Sequence, residues 1–122
     1  MPRVLVVDDD PRARELLRDF LTAKDYDVIE AATGAEGLKR LREDRPHLIL
    51  LDINLPDISG LDVLREAKAH DPAVGVIMVT GMHEEEIGRQ AMRDGAFDFI
   101  TKPMDLQYLE KSLWYKITTM TL

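Results

Sequence analysis

Short apolar runs alternate along the chain with longer stretches of helical periodicity. Val4-Leu5-Val6-Val7 is a β-branched run that reads as a buried strand. Asp10-Pro11 then supplies a helix N-cap followed by proline at the first helical position. Ala13, Leu16, Leu17, Phe20 and Leu21 fall on one face of the helix so opened. Residues 26–30 read as a second strand. Thr33 with Glu36 is a capping-box pattern, opening a helix that turns Leu38 and Leu41 inward. Leu48-Ile49-Leu50-Leu51, apolar throughout, is a third strand. Ser59 with Asp62 resembles a second capping box, ahead of Leu61, Leu64 and Ala67. Residues 74–79 form a fourth strand interrupted by Gly75. Glu84, Glu85 and Glu86 sit where a helix N-terminus favours negative charge, and that helix runs to Asp94 and stops at Gly95, a C′ glycine. Residues 97–101 form a fifth strand, and Asp105 caps a last helix with Leu106, Leu109, Leu113 and Ile117 inward.

Five strand–helix pairs with short connections call for a parallel sheet covered on both faces. Continuous apolar runs, in place of alternation, support central parallel strands. The fold class is therefore α/β, an open doubly wound sheet, since an eight-fold barrel needs about 250 residues and the chain has 122. Ligands in such sheets bind beyond the carboxyl ends of the strands, near the switch in strand order. That is where chemistry is expected.

Composition narrows the classes. The length fits one domain, 1–122. There is no cysteine, which excludes disulfides, thiolate metal sites and cysteine nucleophiles. The net charge of −7 argues against nucleic acid or an acidic membrane as direct partner. No apolar run is long enough to span a bilayer, and Met1-Pro2-Arg3 leads through a short apolar run into an acidic cluster and not a cleavage site. A soluble cytoplasmic protein is the expectation.

The strand ends then stand out. The first strand ends in Asp8-Asp9-Asp10, the third in Asp52, the fourth in Thr80-Gly81 and the fifth in Lys102-Pro103. Singly, each has a plain structural explanation: solvated cap, turn former, β-propensity, surface charge. His47, His70 and His83 show no ligand spacing and read as surface residues. The joint occurrence is the informative part, because the fold brings all four groups to one rim. Two carboxylates about 4 Å apart repel by roughly 4 kcal/mol at an effective dielectric near 20. A hard cation removes that cost, and Mg²⁺ is commonly held by one or two carboxylates plus water and phosphate oxygens. An ionised aspartate can attack phosphorus and hold it as an acyl phosphate, while a lysine and a hydroxyl bind the equatorial oxygens. Gly81 leaves room for a phosphoryl group against the backbone.

Over essentially the whole length the pattern resembles the receiver domains of two-component response regulators. The matching stretches are Val6–Asp10, Leu51–Asp57 with Gly60, Val79-Thr80-Gly81, and residues 95–103. The resemblance implies a flavodoxin-like (βα)5 sheet of strand order 2-1-3-4-5. It implies Asp52 as phosphoacceptor, Asp9 as a direct Mg²⁺ ligand, Asp8 as its helper and the backbone carbonyl of Asn54 as a further ligand. Thr80 and Lys102 would bind the phosphoryl group, and the Lys102–Pro103 peptide would be cis. Phe99 takes the switch-aromatic position, where the family often has tyrosine, so hydrogen bonding by that ring is ruled out. The implied partners are a sensor histidine kinase or phosphotransfer protein and a downstream output domain or protein. The implied output is a shift of the helix 4/strand 5/helix 5 face, through which a homodimer is also a family expectation. The chain would not be an enzyme beyond assisting its own phosphorylation and dephosphorylation. The run 92–99 most resembles receivers of the nitrogen-regulator type.

Two local expectations follow. An apolar Met82 should impede attacking water and lengthen the phosphoryl lifetime. Trp114 and Tyr115 lie off the inward stripe of the last helix and either pack over the sheet edge or form a partner face. Three rival readings stand beside the receiver. A phosphatase of the haloacid-dehalogenase type would use Asp8 and Asp10 as nucleophile and acid/base, but Arg12 stands where that loop usually has threonine. A mononucleotide binder lacks its Ser/Thr/Gly-rich loop after the first strand. A receiver-shaped module that is never phosphorylated would not need the acidic and lysine set.

Overall fold

The computed structural model describes residues 1–81 and 83–120. Its elements alternate strictly: β1 (Arg3–Val7), α1 (Pro11–Ala23), β2 (Asp27–Ala31), α2 (Gly34–Asp44), β3 (Leu48–Asp52), α3 (Gly60–His70), β4 (Gly75–Thr80), α4 (Glu85–Arg93), β5 (Asp98–Thr101) and α5 (Leu106–Thr119). The five strands are parallel in the order β2-β1-β3-β4-β5. The doubly wound sheet is thus as the sequence implied. Its order reverses between β1 and β3, which brings the ends of those two strands side by side.

Burial explains the absence of alternation in the central strands. Val4, Val6, Leu48, Leu50, Ile77 and Ile100 pack against Leu17 and Leu21 of α1 and Leu109 and Leu113 of α5. The intervening Leu5, Val7, Ile49, Leu51, Val76 and Met78 pack against α2, α3 and α4. Both faces of β1, β3 and β4 are therefore apolar, each buried leucine or isoleucine contributing about 1.5–3 kcal/mol.

Local signals set the helix starts. Asp10 Oδ1 accepts from Arg12 N–H at 2.9 Å with Pro11 opening α1. Thr33 Oγ1 accepts from Glu36 N–H at 3.0 Å, and Asp105 Oδ1 accepts from Gln107 N–H at 3.0 Å. Gly95 follows α4 with φ +105°, the left-handed conformation expected of a C′ glycine. At Gly60 the reason for glycine is steric: an added Cβ would lie 2.5 Å from the carbonyl oxygen of Asp52. Helix α3 therefore starts directly against the end of β3.

Several expectations are corrected. Leu16 is 54% exposed, because Leu17 and Leu21, four apart, are the residues that meet the sheet. Strand β2 begins at Asp27 and not Tyr26, whose N–H instead pairs with Leu21 O at 3.1 Å at the end of α1. The Ser59 hydroxyl accepts from Leu61 and not from Asp62. Strand β4 starts one residue later than expected because Val74 N–H closes a turn on Asp71 O. His47 is not a free surface residue, since its Nδ1 accepts from Arg3 N–H at 2.9 Å.

Candidate functional site

The rim beyond β1, β3, β4 and β5 gathers the charged groups. Asp8 and Asp52 are 3% and 4% exposed, unusual burial for carboxylates. Each is fixed by its own loop backbone. Asp8 Oδ1 accepts from Asp10 N–H at 2.9 Å, and Asp52 Oδ1 accepts from Asn54 N–H at 3.0 Å. Oδ2 of both carboxylates points to Lys102, whose Nζ lies 2.9 Å from Asp52 and 3.6 Å from Asp8. Asp9 is exposed beside them. Oxygens of Asp8, Asp9 and Asp52 all lie within 4.8 Å of one another. Asp10 is outside this group, its carboxylate capping α1.

The electrostatics are unbalanced. Burial pushes the Asp8 carboxyl above its ordinary value, and the Asp52 and Asp9 carboxylates push the same way; the Asp10 amide and Lys102 ammonium oppose them. Burial draws the Lys102 ammonium down, but its hydrogen bond to Asp52 and the two carboxylate charges outweigh this, so it is held above its usual value. One ammonium meets two of the three clustered carboxylates. The excess negative charge, made only of hard oxygen donors, suits a small divalent cation such as Mg²⁺.

The remaining residues frame this centre. Thr80 is 1% exposed, and its hydroxyl donates to Ile100 O at a long 3.4 Å. Lys102 N–H donates to Thr80 O at 2.8 Å, tying the ends of β4 and β5 together. The Lys102–Pro103 peptide is cis. Phe99 is half-buried on Gly88 of α4, where an added Cβ would come within 2.7 Å of its ring. Asp98 joins β5 to α5 by accepting from Tyr108 at 2.7 Å and Ser112 at 2.9 Å. On α5, Trp114 is 64% exposed, while Tyr115 stacks on Phe97 with ring centres 6.0 Å apart. Met82 lies outside the described residues.

Three contributors escaped the sequence. Arg14 donates from Nη1 to Asp8 O at 2.7 Å and anchors the first acidic loop. Asp57 accepts from Gly34 and Ala35 N–H, both at 2.9 Å, capping α2 from the loop that follows Asp52. Glu84 Oε1 accepts from Gly81 N–H and Asn54 Nδ2. Only Asp57 had a signal, an aspartate after Pro56 in a turn; the other two are contacts between distant segments.

Comparison with known proteins agrees with this geometry. The family model described as response regulator receiver domain matches residues 4–113. The chemotaxis protein CheY of Listeria monocytogenes is 35% identical over 117 residues, covering 92% of this chain and 98% of CheY. The transcriptional regulatory protein KdpE of Mycobacterium tuberculosis is 40% identical over 106 residues, covering 87% of this chain but 46% of KdpE. The crystal structure of a response regulator receiver domain protein from Clostridium thermocellum superposes with a TM-score of 0.94 at 29% identity, covering 98% of this chain and 96% of that one. A phosphatase or mononucleotide-binder assignment is overturned by these matches. Among the described residues no helix is long and apolar enough to cross a membrane. The chain belongs to the response regulator receiver family of two-component signalling.

Proposed function

We propose that Asp52 is the phosphoacceptor, taking its phosphoryl group from the phosphohistidine of a sensor histidine kinase or phosphotransfer protein. The observation that carries this reading is the pairing of a buried Asp52 with Lys102 at 2.9 Å inside the acidic group of Asp8 and Asp9. Asp52 is held in place by two donors, Asn54 N–H at 3.0 Å and Lys102 Nζ at 2.9 Å. In the transfer, a carboxylate oxygen of Asp52 forms the new P–O bond while the P–N bond to the donor histidine breaks. The departing imidazole takes up a proton. Lys102 meets the equatorial oxygens, and Thr80 turns its weakly held hydroxyl toward them. Asp8, Asp9, Asp52 and the Asn54 carbonyl are the residues that would hold Mg²⁺, which supplies charge neutralisation at phosphorus when bound.

The output reading follows from the same residues. When Thr80 moves, Phe99 gains space to pack inward, and α4, β5 and α5 shift as the signalling face. A homodimer or an output partner would meet that face, and the exposed Tyr115, stacked on Phe97, extends it; Trp114 faces the other side of α5, beside Lys24 and Tyr26. KdpE is about twice the length of the stretch this chain matches, which supports control of an output segment or a separate protein. A cytoplasmic location goes with this reading, and the net charge of −7 disfavours direct contact with nucleic acid or an acidic membrane.

The test is incubation with Mg²⁺ and acetyl phosphate, followed by intact-mass analysis of the parent and Asp52→Asn. The parent gains one phosphate and the variant none. A gain that survives the substitution moves the nucleophile elsewhere, and no gain in either leaves a module that is not phosphorylated.

A further inference from the structure

The room that Gly81 leaves against its backbone is filled. Glu84 Oε1 accepts from Gly81 N–H at 2.7 Å and from Asn54 Nδ2 at 3.2 Å. A Cβ at position 81 would lie 2.6 Å from that oxygen, so glycine admits a carboxylate belonging to the chain itself. His83 stands at φ +68°, rare outside glycine and asparagine, and Glu84 N–H returns to Gly81 O at 3.3 Å. Glu84 immediately precedes α4, yet its side chain makes no hydrogen bond to the free amides of that helix. Those amides and the helix dipole are a favourable alternative place for a carboxylate. Asn54 carries the connection further, because its own N–H donates to Asp52 Oδ1 at 3.0 Å.

We infer that Glu84 is an internal stand-in for the phosphoryl group: its carboxylate holds Gly81 N–H and the Asn54 side chain in the unphosphorylated protein, and phosphorylation of Asp52 displaces it toward the start of α4. The inference rests on the reading of Asp52 as phosphoacceptor. A backbone amide has a single proton to donate, so a phosphoryl oxygen and the Glu84 carboxylate compete for it. A phosphoryl group adds about −1.5 to −2 charges beside Asn54, and the two anions repel. Glu84 is a positioning residue, reaching the reaction through Gly81 and Asn54. Its two destinations give the Glu84 side chain two discrete arrangements, and the occupied one opposes phosphoryl binding.

The test is a beryllofluoride titration in the presence of Mg²⁺, followed by amide NMR, on the wild type, Glu84→Gln and Glu84→Ala. Glutamine keeps the side-chain volume and a neutral hydrogen bond; alanine removes both. The mimic should bind several-fold tighter to the glutamine variant and about tenfold tighter to the alanine variant, the scale of a charge-assisted hydrogen bond. The Gly81 amide resonance should also move in both variants before any mimic is added. Binding that is unchanged or weaker in both variants overturns the inference, and weaker binding is what a plain α4 cap or a metal-assisting carboxylate would give. A wild type that binds the mimic normally beside unchanged variants sinks Glu84 alone. A wild type that binds none sinks the phosphoacceptor reading, and the inference with it.

Discussion

The two ends of the sheet use their polar side chains differently. At the N-terminal edge, side chains close off the backbone: His47 Nδ1 accepts from Arg3 N–H, and Lys68 donates to Pro72 O at 2.8 Å and Val74 O at 2.9 Å. At the carboxyl edge, charged side chains face one another, with Asp8, Asp9 and Asp52 clustered and the Lys102 ammonium beside Asp8 and Asp52. The strands between are equally apolar. The difference teaches where the fold tolerates imbalance. One edge is satisfied by the chain alone, whereas the other leaves three clustered carboxylates with one ammonium beside two of them, an imbalance that suits a bound cation.

The largest effect that would test this contrast is at Asp8. Asp8→Asn should weaken Mg²⁺ binding at least about tenfold, the scale on which even the supports of a metal ligand act. Without metal the same change should stabilise the fold. A carboxyl raised by burial binds more protons folded than unfolded, so its cost appears as pH climbs from its ordinary value of 3.8 through its raised folded value and is fully present at neutral pH. With chelator present, Asp8→Asn should be the more stable at neutral pH, and the gap should close on acidification through that window. Urea unfolding at several pH values reads both slopes. A wild type that is the more stable at neutral pH would break the contrast.

Smaller is the effect of Lys102→Ala. Its ammonium is partly exposed, so losing the ion pairs should cost about 1 kcal/mol in chelator. Saturating Mg²⁺ should shrink that loss, because the cation then balances Asp52 and Asp8. At the opposite edge, His47→Ala should also cost about 1 kcal/mol, by leaving Arg3 N–H unpaired. It should leave Mg²⁺ affinity and phosphate gain unchanged; a change in either would show that the two edges are coupled.

What was legible in the sequence followed from local rules. Apolar runs marked the five strands, and Asp10, Thr33 and Asp105 marked helix starts, because capping depends on neighbours along the chain. The rim was legible as well, since parallel strands bring every carboxyl end to one edge. What escaped depends on rotation and on distant partners. Leu16 reads as part of an apolar face, and only the docking angle of α1 excludes it. His47 shows no signal for its bond to Arg3, 44 residues away. Glu84 reads as helix-favouring charge, yet its carboxylate turns back to Asn54, which lies 30 residues earlier.

A carboxyl edge built around a phosphate-accepting Asp52 should carry the phosphoryl group on that residue and no other. The most direct measurement is borohydride trapping after acetyl phosphate treatment, which reduces an aspartyl phosphate to homoserine, followed by peptide mass mapping. Homoserine at position 52, and at no other aspartate, is the predicted result. Homoserine at Asp8 or Asp9, or none at any position in a protein that has gained phosphate, would contradict it.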